Sequence, residues 1–418
     1  MKPPPRAPSA RELRILVAIA MVAMAVAGAL FAFNHGVLGP AGGGGEFLSL
    51  WTGSRAFLFD GTDPYGGSVP ARVQQAVYGR AAVVGEEPYI LDVPFHLLIL
   101  FFPLALVPDA EIARAIYTVL LELALLGSIY ISLRLANLRD RGLRIIYAGA
   151  TAISFYSYSA LSEGSPVLLL GCVYLGSLWS LTAKRYELAG ALMVLSAFRW
   201  EVAAPFLAVA ALNGWRRGRG AMLTGAALLG VLLFAISVFL YPGWLIPLWR
   251  AVANNLRYGY GFSTGAMVAQ LAPDSAEVIR WVVAIALLLL IGREVMLARE
   301  EAGRPLYWSA FIVLTATPLL GQRSEVENLV PLMFAWPFLL GAAQGRWGRV
   351  GGILASLLML LAFLAPWWLS REGRAGGALS PMQQVFLLLP IATLLALYWM
   401  RWSALHAPRT WIERFAEH

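Results

Sequence analysis

Residues 93–108 read VPFHLLILFFPLALVP. The stretch is apolar, but it falls short of the roughly 20 residues a helix needs to cross a bilayer core. Prolines at 94, 103 and 108 would also break the hydrogen-bond ladder of a regular helix. Whether it crosses decides the sidedness of everything after it. If it crosses, the loop holding Arg134, Arg139, Arg141 and Arg144 lies outside. If it dips in and returns, that loop joins Lys184, Arg185, Arg216, Arg217, Arg219, Arg346 and Arg349 on one side, as cytoplasmic loops do. The second reading predicts a re-entrant segment here.

The rest of the chain sets the context. Of 418 residues, 59% are hydrophobic and 13% charged, against roughly 45–50% and about 25% in soluble domains. Apolar runs recur from residue 13 to residue 400 without the two-residue alternation of a membrane barrel. The expected fold class is therefore all-α, a polytopic transmembrane helical protein. Spans are predicted near 13–34, 111–134, 145–161, 164–182, 187–199, 200–213, 221–241, 277–298, 306–320, 328–343, 350–369 and 382–400, about twelve in all besides the re-entrant segment. The whole of 1–418 reads as one integral membrane domain. The apolar run after MKPPPRAPSARELR is longer than a signal-peptide core, so it reads as a retained first span. The net charge of +8 is used by sidedness, which places both termini in the cytoplasm of a plasma-membrane protein; nucleic acid is not an expected partner.

Residues 187–213 are best read as two short crossings turning at Arg199, Trp200 and Glu201. A single span would bury a charged pair at mid-membrane and leave the run 216–219 outside. The extracytoplasmic side then holds the long segment 35–110, a second loop at 242–276, and short turns at 162–166, 199–201 and 321–328. Chemistry is expected there, because long loops on rigid scaffolds usually carry it.

Within 35–110, GGGG at 42–45 makes a hinge, and EFLSLWTGSRAFLF predicts a helix lying along the membrane surface. Glu46 stands alone between the glycines and this apolar helix. A carboxylate beside apolar surface is a stronger base than one in water, which makes Glu46 the candidate catalytic base; equally, it suits the first turn of a helix, where the dipole favours negative charge. Asp60-Gly61 and Asp63-Pro64 are turn pairs first of all. Arg199, Arg257 and Arg323 are candidates to grip a phosphate with their planar forks, although Glu201, Glu325 and Glu327 offer them plainer pairings. Trp51, Tyr65, Tyr89, Trp244, Trp249, Tyr258 and Tyr260 suit an interfacial belt, and the cluster around Tyr258 also suits a substrate lid. The four histidines and the single cysteine, Cys172, show no metal-ligand spacing. No phosphate loop of the GxxxxGK type is present.

Taken in order, these segments resemble the GT-C glycosyltransferases, and within them glycosyltransferase family 87, the polyprenyl-phosphate-mannose-dependent mannosyltransferases. EFLSLWTGSRAFLFDGTDPY (46–65) is similar to the family's acidic residue, aromatic helix and Gly-x-Asp-Pro-Tyr turn. Pro103, Leu104 and Pro108 match its Pro-Leu-x-x-x-Pro ending. SEGSPVLLLG (162–171) stands where the family has Gly-Gln, with Ser165 for the glutamine, and Arg199 stands for a lysine at a hairpin tip. TATPLLGQRSEVENLVPLM (315–333) resembles a later motif without its tryptophan and histidine.

The resemblance implies an inverting hexosyltransferase. Glu46 would deprotonate an acceptor hydroxyl of a lipid or glycan, and a polyprenyl-phosphate sugar, mannose, would be the donor. Arg199 and Arg323 would hold the leaving phosphate, with Asp63, Tyr65 and Tyr258 among the substrate contacts. A phosphate leaving group is compatible with a divalent metal, but no spacing demands one. A transporter or lipid flippase is the alternative reading, and a non-catalytic scaffold of an envelope assembly a third.

Overall fold

The computed structural model describes residues 10–38, 44–83, 86–217, 219–258, 261–320, 324–372 and 381–405. Helices make up nearly all of it. The single β pairing among the described residues is the antiparallel bridge Phe262↔Ser324.

Among the described residues, five stretches are long and apolar enough to cross a membrane: Ala20–Val37, Ala110–Ala136, Gly220–Leu240, Pro273–Ala298 and Glu327–Trp368. A sixth is counted if Phe155–Glu163 and Val167–Thr182, bent by 116°, form one broken span. The expected span at 328–343 opens on the short turns Glu327–Leu329 and Val330–Met333 and runs on into the helix Trp336–Glu372, which also takes in 350–369 and has non-helical angles at Trp347 and Gly348 (φ 63, ψ −149). The Trp336 and Phe363 rings nevertheless lie 5.8 Å apart. A straight helix would separate those residues by roughly 40 Å, so the chain turns back at Gly348, a conformation in which a side chain would be strained.

The bundle is apolar outside as well as inside. Leu228, Val231, Phe239, Val278 and Leu289 are exposed, a pattern that suits lipid contact rather than water. At the centre, every residue of Leu306–Ala316 is buried, as is typical of a helix that is apolar all round. Trp308 is fully buried and its indole N–H donates to the Leu397 carbonyl at 2.9 Å.

Residues 95–105 form one short helix, Phe95–Leu98 and Phe102–Ala105 joined through the 3-10 turn Ile99–Phe101, too short to cross a bilayer core. The helix Gly45–Leu58 packs across them: the Trp51 indole N–H donates to the Val107 carbonyl (3.3 Å), and Arg55 donates to that of Ala105 (2.8 Å). This helix, expected to lie along a membrane surface, buries Gly45, Glu46, Phe47, Ser49, Leu50, Gly53, Ser54 and Ala56 against protein. Its partly polar face is covered by protein because the loop 86–94 and the turn at Gly164 close over it.

The helices Tyr186–Ser196 and Trp200–Arg216 are joined by the turn Ala197–Arg199. The Tyr186 ring sits 5.2 Å from the Arg219 guanidinium, which in turn donates to Asn213 (2.7 Å). Both far ends are therefore at one level and Arg199 is the tip of a hairpin.

Candidate active site

Glu46 is the second residue of the Gly45–Leu58 helix, and the glycines before it are structural requirements. Gly44 has φ 80, and a Cβ there would fall 2.6 Å from Arg114 Nε. One on Gly45 would fall 2.0 Å from the Tyr89 ring. The chain threads between a guanidinium and an aromatic ring, a passage with no room for side chains. The Gly45 N–H donates to Glu163 Oε2 at 3.1 Å, and the Ser49 hydroxyl donates to the Gly45 carbonyl at 2.9 Å, which fixes the start of the helix.

From the hairpin tip, Arg199 Nη2 reaches Glu46 Oε1 at 2.7 Å and Nη1 reaches Glu325 Oε2 at 3.2 Å. The three side chains are only 12%, 9% and 18% exposed. Burying such ions costs several kcal/mol each before any pairing returns. Glu325 follows Ser324, whose two backbone bonds to Phe262, both 2.9 Å, hold it in place. Two residues on, Glu327 accepts a hydrogen bond from the Ser159 hydroxyl.

Glu87 enters from the loop between the helix Ser68–Tyr78 and the short helix at 95–105. Carboxylate oxygens of Glu46, Glu87 and Glu325 lie within 4.8 Å of one another. Burial, then the charges of Glu325, Glu46, Glu163 and Glu327, push Glu87 well above the ordinary carboxylate range. Burial raises Glu325 also, with Arg199 pulling it down and Glu46 and Glu327 pushing it up. Glu46, Glu87 and Glu325 line a cavity of about 40 Å³, with Ser49, Tyr89, Asp92, Pro166, Arg199 and Asn255 among its other walls. Asn255 donates to Asp92 at 2.8 Å. One oxygen, Glu46 Oε2, is buried without a hydrogen-bond partner among the described residues.

The candidates from the sequence divide. Glu46 and Arg199 are brought into contact. Asp63 and Tyr65 are not brought to the carboxylates: Asp63 Oδ1 accepts from the Tyr65 N–H (2.9 Å), and the buried Tyr65 hydroxyl donates to the Val93 carbonyl (2.8 Å). They brace the loop that carries Glu87 to Val93. Tyr258 ends the helix Leu245–Tyr258, one turn beyond Asn255. Arg323 lies outside the described residues.

Two members of the cluster, Glu87 and Glu325, were not singled out by spacing. The signal available was sidedness alone, since 86–88 and 324–327 are acidic stretches in segments assigned to the same face. Comparison with known proteins returns no match, neither among family models nor among curated proteins.

Proposed function

We propose that the chain is a membrane glycosyltransferase of the GT-C type, which moves a sugar, mannose by resemblance, from a polyprenyl phosphate to a lipid or glycan acceptor on the extracytoplasmic face. The observation that carries this reading is the free oxygen of Glu46: Oε1 is held by Arg199 while Oε2, buried and without a hydrogen-bond partner among the described residues, belongs to a carboxylate that lines a polar cavity. In the proposed reaction Oε2 takes the acceptor hydroxyl proton. The freed oxygen attacks the anomeric carbon opposite the phosphate, the bond from that carbon to the phosphate oxygen breaks, and its electron pair leaves with the polyprenyl phosphate. Configuration inverts. A positioned base of this kind contributes about 10²–10⁴-fold. Arg199 supplies positive charge beside the leaving group, where charge develops.

The topology that goes with this reading has about twelve spans, the short segment 93–108 as a re-entrant element, and both termini cytoplasmic. The hairpin supports a site near the membrane, since 11 residues of Tyr186–Ser196 rise only about 16 Å. In a Cys172-free background, a cysteine at Ser68 should label from outside and one at Ala183 should not; the reverse would refute the scheme.

A transporter remains the second reading, favoured by the 116° break beside Glu163, because broken helices with ionisable groups are typical of carriers. Transfer of radiolabelled mannose from polyprenyl-phosphate mannose to membrane lipids separates the two. Wild-type product that vanishes in Glu46→Gln at equal expression supports the transferase and its base. Product in both keeps the enzyme and discards Glu46; product in neither, with substrate flux across vesicles, supports the carrier.

A further inference from the structure

Glu46, Glu87 and Glu325 arrive from three segments distant in sequence: the start of a helix, the loop after Ser68–Tyr78 and the turn after the Phe262↔Ser324 bridge. Five carboxylates in all, with Glu163 and Glu327, influence one another here, and the cations beside them among the described residues are Arg114 and Arg199. Arg199 meets Glu46 and Glu325 from one side. Glu46 Oε2 is left buried without a hydrogen-bond partner among the described residues, in a residue only 8% exposed. Leaving a buried charged oxygen unpaired is among the costlier choices a fold can make.

We propose that these three glutamates bind a divalent cation of the hard, oxygen-preferring class, Ca²⁺ or Mn²⁺, with Arg199 as the positioning residue that fixes two of the ligands. The donor set is all oxygen, which selects that class over zinc or copper. The spacing fits as well. Calcium sits about 2.4 Å from its oxygens, so ligands on opposite sides are about 4.8 Å apart, and the three carboxylate oxygens fall within 4.8 Å of one another. A cavity of about 40 Å³ also leaves space beside the ion, since a water needs roughly 10–15 Å³ measured in this way. Asn255 and Asp92, paired on the same wall, lie where a further ligand or a bound water would be held.

The ion and the proposed base compete for one oxygen, Glu46 Oε2; cation binding is measured without donor or acceptor, so its failure would leave the transferase reading untouched, whereas its success would pass the proton to another group. The test uses the full chain in lipid nanodiscs, stripped with chelator and titrated with Mn²⁺, following the free-ion signal by electron paramagnetic resonance. One Mn²⁺ per chain is expected, displaced by Ca²⁺. Glu87→Gln and Glu325→Gln should each weaken it tenfold or more, while Glu86→Gln, next in sequence but paired with Arg80 in the solvent, should not. Melting temperature provides the fold control: Mn²⁺ should raise it in wild type and not in the two variants, which in chelator should melt no lower than wild type, because each removes a like charge. No binding by wild type at millimolar Mn²⁺, or binding retained in both variants, would overturn the proposal.

Discussion

The two ends of the bundle both contain buried carboxylates with arginine, and they are built on opposite principles. At the far end Glu294 is fully buried, yet both of its oxygens are used: Oε1 accepts from Arg293 at 2.8 Å, and Oε2 accepts from Arg401 and from the Ser309 hydroxyl at 3.1 Å. Glu301 joins them through Ser309 (2.8 Å) and Arg401 (3.2 Å). Two carboxylates meet two guanidiniums, and the network ties the helices Ala276–Ala298, Arg304–Ala316 and Pro381–Leu405 together. At the Glu46 end acids outnumber bases, an oxygen has no partner and a cavity adjoins it. A satisfied network of this kind rigidifies a fold; one left incomplete has capacity for a ligand. On the proposed function, the first cluster serves stability and the second serves chemistry.

That division can be broken in order of expected effect. Glu46→Gln should lower sugar transfer by about 10²–10⁴-fold, the worth of a positioned base, with little change in melting temperature; a stability loss that matches the activity loss would make Glu46 structural. Glu294→Ala should show the converse. Removing it leaves Arg401 and Ser309 with Glu301 as their remaining carboxylate, and breaking a buried pair costs about 3–5 kcal/mol, visible in thermal unfolding, while the activity per folded molecule stays near wild type.

Gly45→Ala is a subtler probe of the site. Its methyl group has to displace the Tyr89 ring, an overpacking worth about 1–3 kcal/mol, and it should lower both melting temperature and turnover. The smallest effect belongs to an ion pair on the surface: Arg80 and Glu86, 2.7 Å apart. Arg80→Ala should leave the melting temperature unchanged within error, since exposed pairs contribute little. The hydrogen bond from Arg80 and a backbone N–H hold Glu86 down to about 2. With a depressed folded value, whatever the pair adds is present at neutral pH and fades only as pH falls from the ordinary carboxylate range towards 2. Any difference between the variant and wild type should therefore shrink as pH falls towards 2; a difference that grows on acidification would contradict this.

Much of the architecture was legible because it depends on local chemistry. The brevity of 93–108 predicted a segment too short to cross a bilayer core, now seen as one short helix at 95–105, and a charged Arg-Trp-Glu flanked by apolar runs predicted the hairpin tip at Arg199. Asp109 and Asp140 also cap the helices that follow them, as aspartate before an apolar run implies. The protein-covered face of Gly45–Leu58 was not legible, since its apolar content suits lipid and protein equally well, and only its neighbours decide which covers it. Glu46 stood out by isolation, Arg199 by depth. Glu87 had neither signal.

By itself the sequence determined that this protein is a set of apolar helices with charge at their ends, because hydrophobicity, helix breaking and capping act over a few residues. Only the tertiary structure decided which charges meet. Arg199 lies beside Glu46 and Glu325, acids far from it in sequence, and Glu87 completes the cluster, because burial and Coulomb energy depend on distance in space, which the order of residues along a chain does not encode.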